Sequence, residues 1–113
     1  MRLIYKNLKI SNKQIDTINM ATDIIIHDKK DNVGVVVIEK ITPNQDCACW
    51  IMEDDSSAKI QSMDEISLGH KIAMIDLNEG DTILKYGHDI GKVIKSIKKG
   101  EHVHVHNVKT KKW

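Results

Sequence analysis

GHKIAMIDLNEGDTILKYGHDIGKVIKSIKKGEHVHVHN, residues 69–107, is punctuated by glycine at 69, 80, 87, 91 and 100. Three places after each glycine stands a β-branched residue: Ile72, Ile83, Ile90, Ile94 and Val103. Gly34 and Val37 repeat the relation further upstream. Glycine supplies positive-φ turn positions that other residues resist. Short apolar runs separated by such turns at intervals of roughly 8–12 residues read as the strands of a compact all-β barrel or clip. LGH, NEGD, HDIG and KKGE are read as the turns.

Composition points the same way. The chain of 113 residues carries 18 Ile and 8 Val against 5 Leu and 4 Ala. β-branched side chains are stiff at χ1 and pack well on pleated sheets, whereas helices favour Leu and Ala. The fold class is therefore mostly β, with strands expected at 23–27, 33–40, 47–53, 58–63, 70–77, 82–86, 92–97 and 102–108. MEDDSSAK (52–59) and KITPNQD (40–46) are expected turns. SNKQIDTINM differs: Ser11 and Gln14 form a capping-box pattern, and a short helix at 12–20 is expected. Residues 1–20 are read as an N-terminal extension and 21–113 as the domain.

Charge excludes several classes. Lys and Arg number 17, Asp and Glu 16, for a net charge of +1. No global field favours nucleic acid or a membrane surface. The apolar runs are too short to span a bilayer, and MRLIYKNLKI has no signal-peptide core, so a cytoplasmic location is expected. Cys47 and Cys49 fall on one face of a strand. Two thiols without a second pair are half a zinc site, and ordinary reduced cysteines are expected.

Three stretches can carry chemistry. In HVHVHN, a single strand would place His102, His104 and His106 on one face and Val103 and Val105 on the other. Neutral imidazoles bind transition metals and exchange protons near neutral pH. Alternate side chains on a strand stand about 7 Å apart at the backbone, so three converging on one ion needs a bend. A solvated polar face is the competing reading. In IHDKKDNVG, His27, Asp28, Asp31 and Asn32 share a loop, read either as a site or as a turn bonding its own backbone. In LKYGHDIG, Lys85 and Tyr86 should point to opposite faces beside His88 and Asp89. His70 and Lys71 are weaker candidates, and the basic tail at Lys109, Lys111 and Lys112 reads as solvated.

Together, IHDKKDNVGVVV and residues 69–107 resemble the SAF-type β-clip domain of the altronate and galactarate dehydratase family. The resemblance runs from about residue 22 to the C-terminus. KYG with IG, then GE-VH-HN, is its most specific part. It implies a small module whose large catalytic partner is a separate lyase chain. The ending HVHVHNVKTKKW resembles especially the small subunits of a branch that eliminates sulfite from sulfolactate instead of water. The implied reaction removes a proton beside a carboxylate and expels a β-leaving group from a small anionic hydroxy acid. Water is the leaving group expected first, and sulfite is the alternative. By position, the resemblance assigns His27, His104 and His106 to catalysis. It assigns Asp31, Asn32, Lys85, Tyr86 and Asn107 to substrate binding. It also implies a divalent metal, iron(II), held largely by the partner, with His27, His104 and His106 as candidate ligands here. Turnover is expected only with the large subunit. Two readings of other classes remain: a non-catalytic sugar-acid-binding module, and a stand-alone metal-binding protein.

Overall fold

The computed structural model describes residues 22–110. The helix expected at 12–20 lies outside the described residues, as does the extension at 1–20. The described part is built of strands, in agreement with the mostly β expectation. They are β1 (Ile24–Ile26), β2 (Val33–Val36), β3 (Lys40–Ile41), β4 (Asp46–Ile51), β5 (Ser56–Gln61) and β6 (Ile66–Ser67). β7 (Lys71–Ala73), β8 (Thr82–Lys85), β9 (His88–Val93), β10 (His102–Val103) and β11 (Val108–Thr110) follow. Among the described residues no helix is long and apolar enough to cross a membrane.

One sheet of six strands runs β10-β7-β2-β1-β4-β5. A second runs β11-β9-β8, and β3 pairs with β6. All pairings are antiparallel except β1 with β4. The alternation of β1 explains why it sits centrally. Ile24 and Ile26 enter one core with Cys47, Cys49 and Ile72. Ile25 points the other way onto Val37 and Trp50. Both thiols are buried and unpaired, as expected of reduced cysteines.

Residues 71–90 and 91–110 repeat one structure. Leu77 and Ile97 form an isolated antiparallel bridge, each N–H donating to the other's carbonyl at 2.8 Å. Around it the bonds come in matched pairs. Gly80 N donates to Val93 O and Gly100 N to Ala73 O, both at 2.8 Å. Val93 N donates to Asp81 O at 2.8 Å, and Ala73 N to Glu101 O at 3.0 Å. An approximate two-fold axis at the Leu77–Ile97 bridge thus exchanges the two segments. The second core is built from its pairs: Ala73 with Val93, Leu77 with Ile97, Ile83 with Val103, and Val33 with Val108.

The glycines serve two needs, and Gly100 serves both, since its φ is positive and a Cβ there would collide with Gln61 O. Gly69, Gly80, Gly87 and Gly100 have positive φ, as turns require. Gly34 and Gly91 lie inside strands instead. A Cβ on Gly91 would stand 2.9 Å from Lys109 O, and one on Gly34 would collide with Ile24 Cγ2. These two are needed for close approach and not for turning.

Several boundaries move. HDIG is strand and not turn, because the reversal occurs one step earlier at Tyr86 (φ 55°) and Gly87 (φ 73°). The expected strand 70–77 ends at Ala73. The expected strand 102–108 is interrupted: β10 stops at Val103, the chain turns through 104–107, and β11 begins at Val108. Val103 is fully buried, but Val105 is 63% exposed, so the expected pairing of Val103 and Val105 on the core face does not hold. The alternation ends because Asn107 N and Val108 N both bond back to His104 O, at 3.1 and 3.0 Å.

Candidate functional site

The loop between β1 and β2 carries Asp31 and Asn32, and both reach across to the β8–β9 hairpin. Asp31 is 8% exposed. Its Oδ2 accepts from Tyr86 N at 2.9 Å, and its Oδ1 from Gly87 N at 2.8 Å. One buried carboxylate therefore holds the whole reversal. Asn32 Nδ2 donates to Thr82 O and its Oδ1 accepts from Leu84 N, both at 2.8 Å. The side-chain amide stands in for a neighbouring strand. Both residues bond backbone, though not only that of their own loop.

The clamped turn presents His27, Tyr86 and Lys85. The imidazole of His27 stacks on Tyr86 with ring centroids 3.8 Å apart. Lys85 Nζ lies 5.5 Å from the Tyr86 ring centroid. Lys85 and Tyr86 do not point to opposite faces, because the left-handed backbone at Tyr86 breaks the alternation. Burial lowers the pKa of His27, and the Lys85 ammonium lowers it further, against a smaller opposing pull from Asp31. The ring is thus held toward its neutral form.

Lys71 links this corner to the terminal histidines. It lies in register with Val35 on one side and Val103 on the other, and is 6% exposed. Burial lowers its pKa, and Lys85 adds to the effect. His104 in turn is lowered by burial first, then by His70, Lys71 and His106. The Lys85 charge thus acts on both His27 and Lys71, and the Lys71 charge on His104.

At the far end three imidazoles converge. Candidate ligand atoms of His70, His102 and His104 all lie within 4.8 Å of one another. His70 Nδ1 and His102 Nε2 stand 2.9 Å apart. Such a contact requires a lone pair on at least one nitrogen, because two N–H groups cannot face each other. His106 packs outside this group, its ring 5.2 Å from His102, and is exposed. Backbone bonds hold the cluster: His102 N donates to Asp64 Oδ2 at 2.9 Å, and His104 N to Asn107 Oδ1 at 3.0 Å. Asn107 Nδ2 returns a bond to His102 O at 2.8 Å. Three neutral imidazoles suit a divalent transition metal, so this cluster can bind one.

Residues 22–111 match the altronate/galactarate dehydratase SAF domain. The chain belongs to this family. Over 94 residues it is 49% identical to the alpha subunit of (2R)-sulfolactate sulfo-lyase from Chromohalobacter salexigens, across 83% of this chain and 100% of that subunit. The corresponding subunit of Paracoccus pantotrophus is 43% identical over 65 residues, 58% of this chain and 97% of that one. Altronate dehydratase of Bacillus subtilis is 51% identical over 91 residues. The match takes in 80% of this chain but only 17% of that enzyme.

This SAF domain gathers its expected residues into two groups. His27, Lys85 and Tyr86 meet at one corner, steadied by Asp31 and Asn32. His104 and His106 belong to the other, steadied by Asn107. His27 is not among the converging imidazoles. Sequence reasoning gives His70 and Lys71 little weight and the resemblance leaves His102 without a role, yet His70 and His102 meet and Lys71 lies in register with Val103 beside them. A signal existed: Leu77-x2-Gly80-Asp81-x-Ile83 recurs as Ile97-x2-Gly100-Glu101-x-Val103. That repeat folds β10 against β7 and so brings His102 to His70.

Proposed function

We propose that this chain is the small subunit of a β-eliminating lyase and completes an active site on a separate, larger chain. The observation that carries the reading is the match along the full length of a protein named as a lyase subunit. The same domain occupies only 17% of a longer dehydratase, which supports a need for a large partner. The family resemblance by itself puts water first as leaving group. Full-length likeness to the sulfo-lyase subunits now favours sulfite from a sulfonated 2-hydroxy acid. Elimination of water from a sugar acid is the second reading, favoured by 51% identity to altronate dehydratase.

In either case a C–H bond beside the carboxylate breaks and its electron pair forms a double bond to the β-carbon. The β-leaving group departs with its own pair, and the enol product becomes a 2-oxo acid. Each step gives this chain's residues work. His27, held toward neutrality against Tyr86, can accept the proton. The Lys85 ammonium can hold the carboxylate whose charge grows as the proton leaves. His104 and His106 stand at the other end of the rim, where a departing anion can be met. Imidazoles of this chain or groups of the partner would hold a divalent metal, which when bound would supply a Lewis acid beside the substrate carboxylate. Asp31, Asn32 and Asn107 act as positioning residues, since their polar atoms are engaged with backbone.

The test is reconstitution. The chain is combined with a large dehydratase-type chain, and release of sulfite and 2-oxo acid is followed with sulfolactate and, separately, with altronate. Turnover should need both chains. Full activity from this chain alone, or an inert complex that still binds sugar acids, would refute the proposal. The second outcome would favour a binding module.

A further inference from the structure

The fold uses related backbone positions twice and fills them differently. The two-fold at Leu77 and Ile97 exchanges positions 70, 102 and 104 with 90, 82 and 84. In one half these are Ile90, Thr82 and Leu84, and Ile90 is part of the apolar core. In the other they are His70, His102 and His104. The backbone therefore does not require histidine at these places, because its own symmetry mate does without. The three imidazoles are half-buried, grouped where the mate places one core isoleucine and two half-buried side chains.

The geometry of the three rings matches a ligand set. Two nitrogens side by side on one ion, with metal–nitrogen bonds of about 2.0–2.1 Å, stand roughly 3 Å apart. His70 Nδ1 and His102 Nε2 are 2.9 Å apart. His104 comes from the turn beyond β10, which supplies the bend that a straight strand lacks. We propose that His70, His102 and His104 of this chain hold one divalent transition-metal ion, leaving its other positions open to the oxygens of a 2-hydroxy acid. Imidazoles favour Fe²⁺, Co²⁺, Ni²⁺ and Zn²⁺ over Mg²⁺ and Ca²⁺. Asp64, bonded to His102 N, and exposed His106 lie outside the set. The site belongs to the small chain, not to a partner. It deepens the lyase reading but does not need the large subunit to form.

The experiment uses the full chain without a polyhistidine tag. Co²⁺ and Zn²⁺ are titrated by calorimetry, Co²⁺ also by visible absorption, with Mg²⁺ as comparison. One Co²⁺ or Zn²⁺ per chain should bind, and Mg²⁺ should not. His70→Ala and His102→Ala should each weaken binding tenfold or more, while His27→Ala and His88→Ala leave it unchanged. Nitrogen-15 NMR of wild-type imidazoles gives a reading free of folding defects: Zn²⁺ should shift the rings of residues 70, 102 and 104. No uptake by wild type, or shifts confined to other rings, would overturn the site. Metal uptake without turnover in the two-chain assay would instead count against the lyase reading and leave the site standing.

Discussion

Asn32 and Asn107 make the same pair of hydrogen bonds in the two halves of the domain. Asn32 takes Leu84 N and gives to Thr82 O, both at 2.8 Å. Asn107 takes His104 N at 3.0 Å and gives to His102 O at 2.8 Å. Their carbonyls match too, accepting from Met74 N and Ile94 N at 2.9 Å. Each amide closes a place where the backbone leaves its sheet. One holds up the Lys85–Tyr86 turn and the other the histidine turn.

Replacing either asparagine strands a part-buried donor and acceptor. Asn32→Ala and Asn107→Ala should each cost about 1–2 kcal/mol in urea unfolding, since two part-buried backbone groups lose their partners and only partly regain water. Asn107→Ala should also loosen His104 and weaken metal uptake, whereas Asn32→Ala should not. Equal loss of metal binding in both variants would contradict the division of labour between the two turns.

Stability should fall on mild acidification. His102 is lowered from an ordinary value of 6.5, by burial first and then by His106, His70 and His104, with Asp64 opposing. A group with a depressed folded pKa binds fewer protons folded than unfolded, so stability rises with pH between the two values. It is fully present above the unfolded pKa and is lost as pH drops below about 6.5. Thermal midpoints should drop from pH 7.5 to 5.5, and less so in His102→Ala. A flat profile in metal-free wild type would argue against it.

Gly91→Ala should destabilise by roughly 1–3 kcal/mol, the usual cost of overpacking. Its new Cβ would meet Lys109 O and Val108 Cγ1 at 2.9 Å. Gly69→Ala faces open space and carries only the strain of a positive φ. Denaturant midpoints of the pair separate crowding from strain.

Both thiols should be inert in the folded chain. Burial pushes Cys47 up to about 11 and Cys49 up to about 12, so almost no thiolate exists at neutral pH. Reaction with a chromogenic disulfide should be slow and become fast in denaturant. Rapid labelling of native protein would show that β4 opens.

His27→Gln should lower kcat of the two-chain enzyme by about 10²–10⁴-fold, the usual worth of a general base. Assembly of the two chains should be unaffected. Unchanged kcat with a raised KM would move His27 from proton transfer to substrate binding.

Much of this was legible in the sequence. Abundant Ile and Val, with glycine at 69, 80, 87 and 100, dictated short strands and positive-φ turns, because these preferences are local properties of Cβ and backbone. KYG and the terminal HN carried the family resemblance. The sequence alone could not separate a glycine that turns from one that lets strands meet, as at Gly34 and Gly91, since the crowding atoms come from β1 and β11. Nor could it end the His102–His106 alternation at Val103, because the amides that terminate it bond His104 O only once β11 pairs with β9. The partnership of His70 with His102 was likewise decided by tertiary structure. It depends on β10 pairing with β7 about the two-fold at Leu77 and Ile97. The repeat around those residues is visible in the sequence, but that its two copies pack against each other is a relation between distant segments that no local preference encodes.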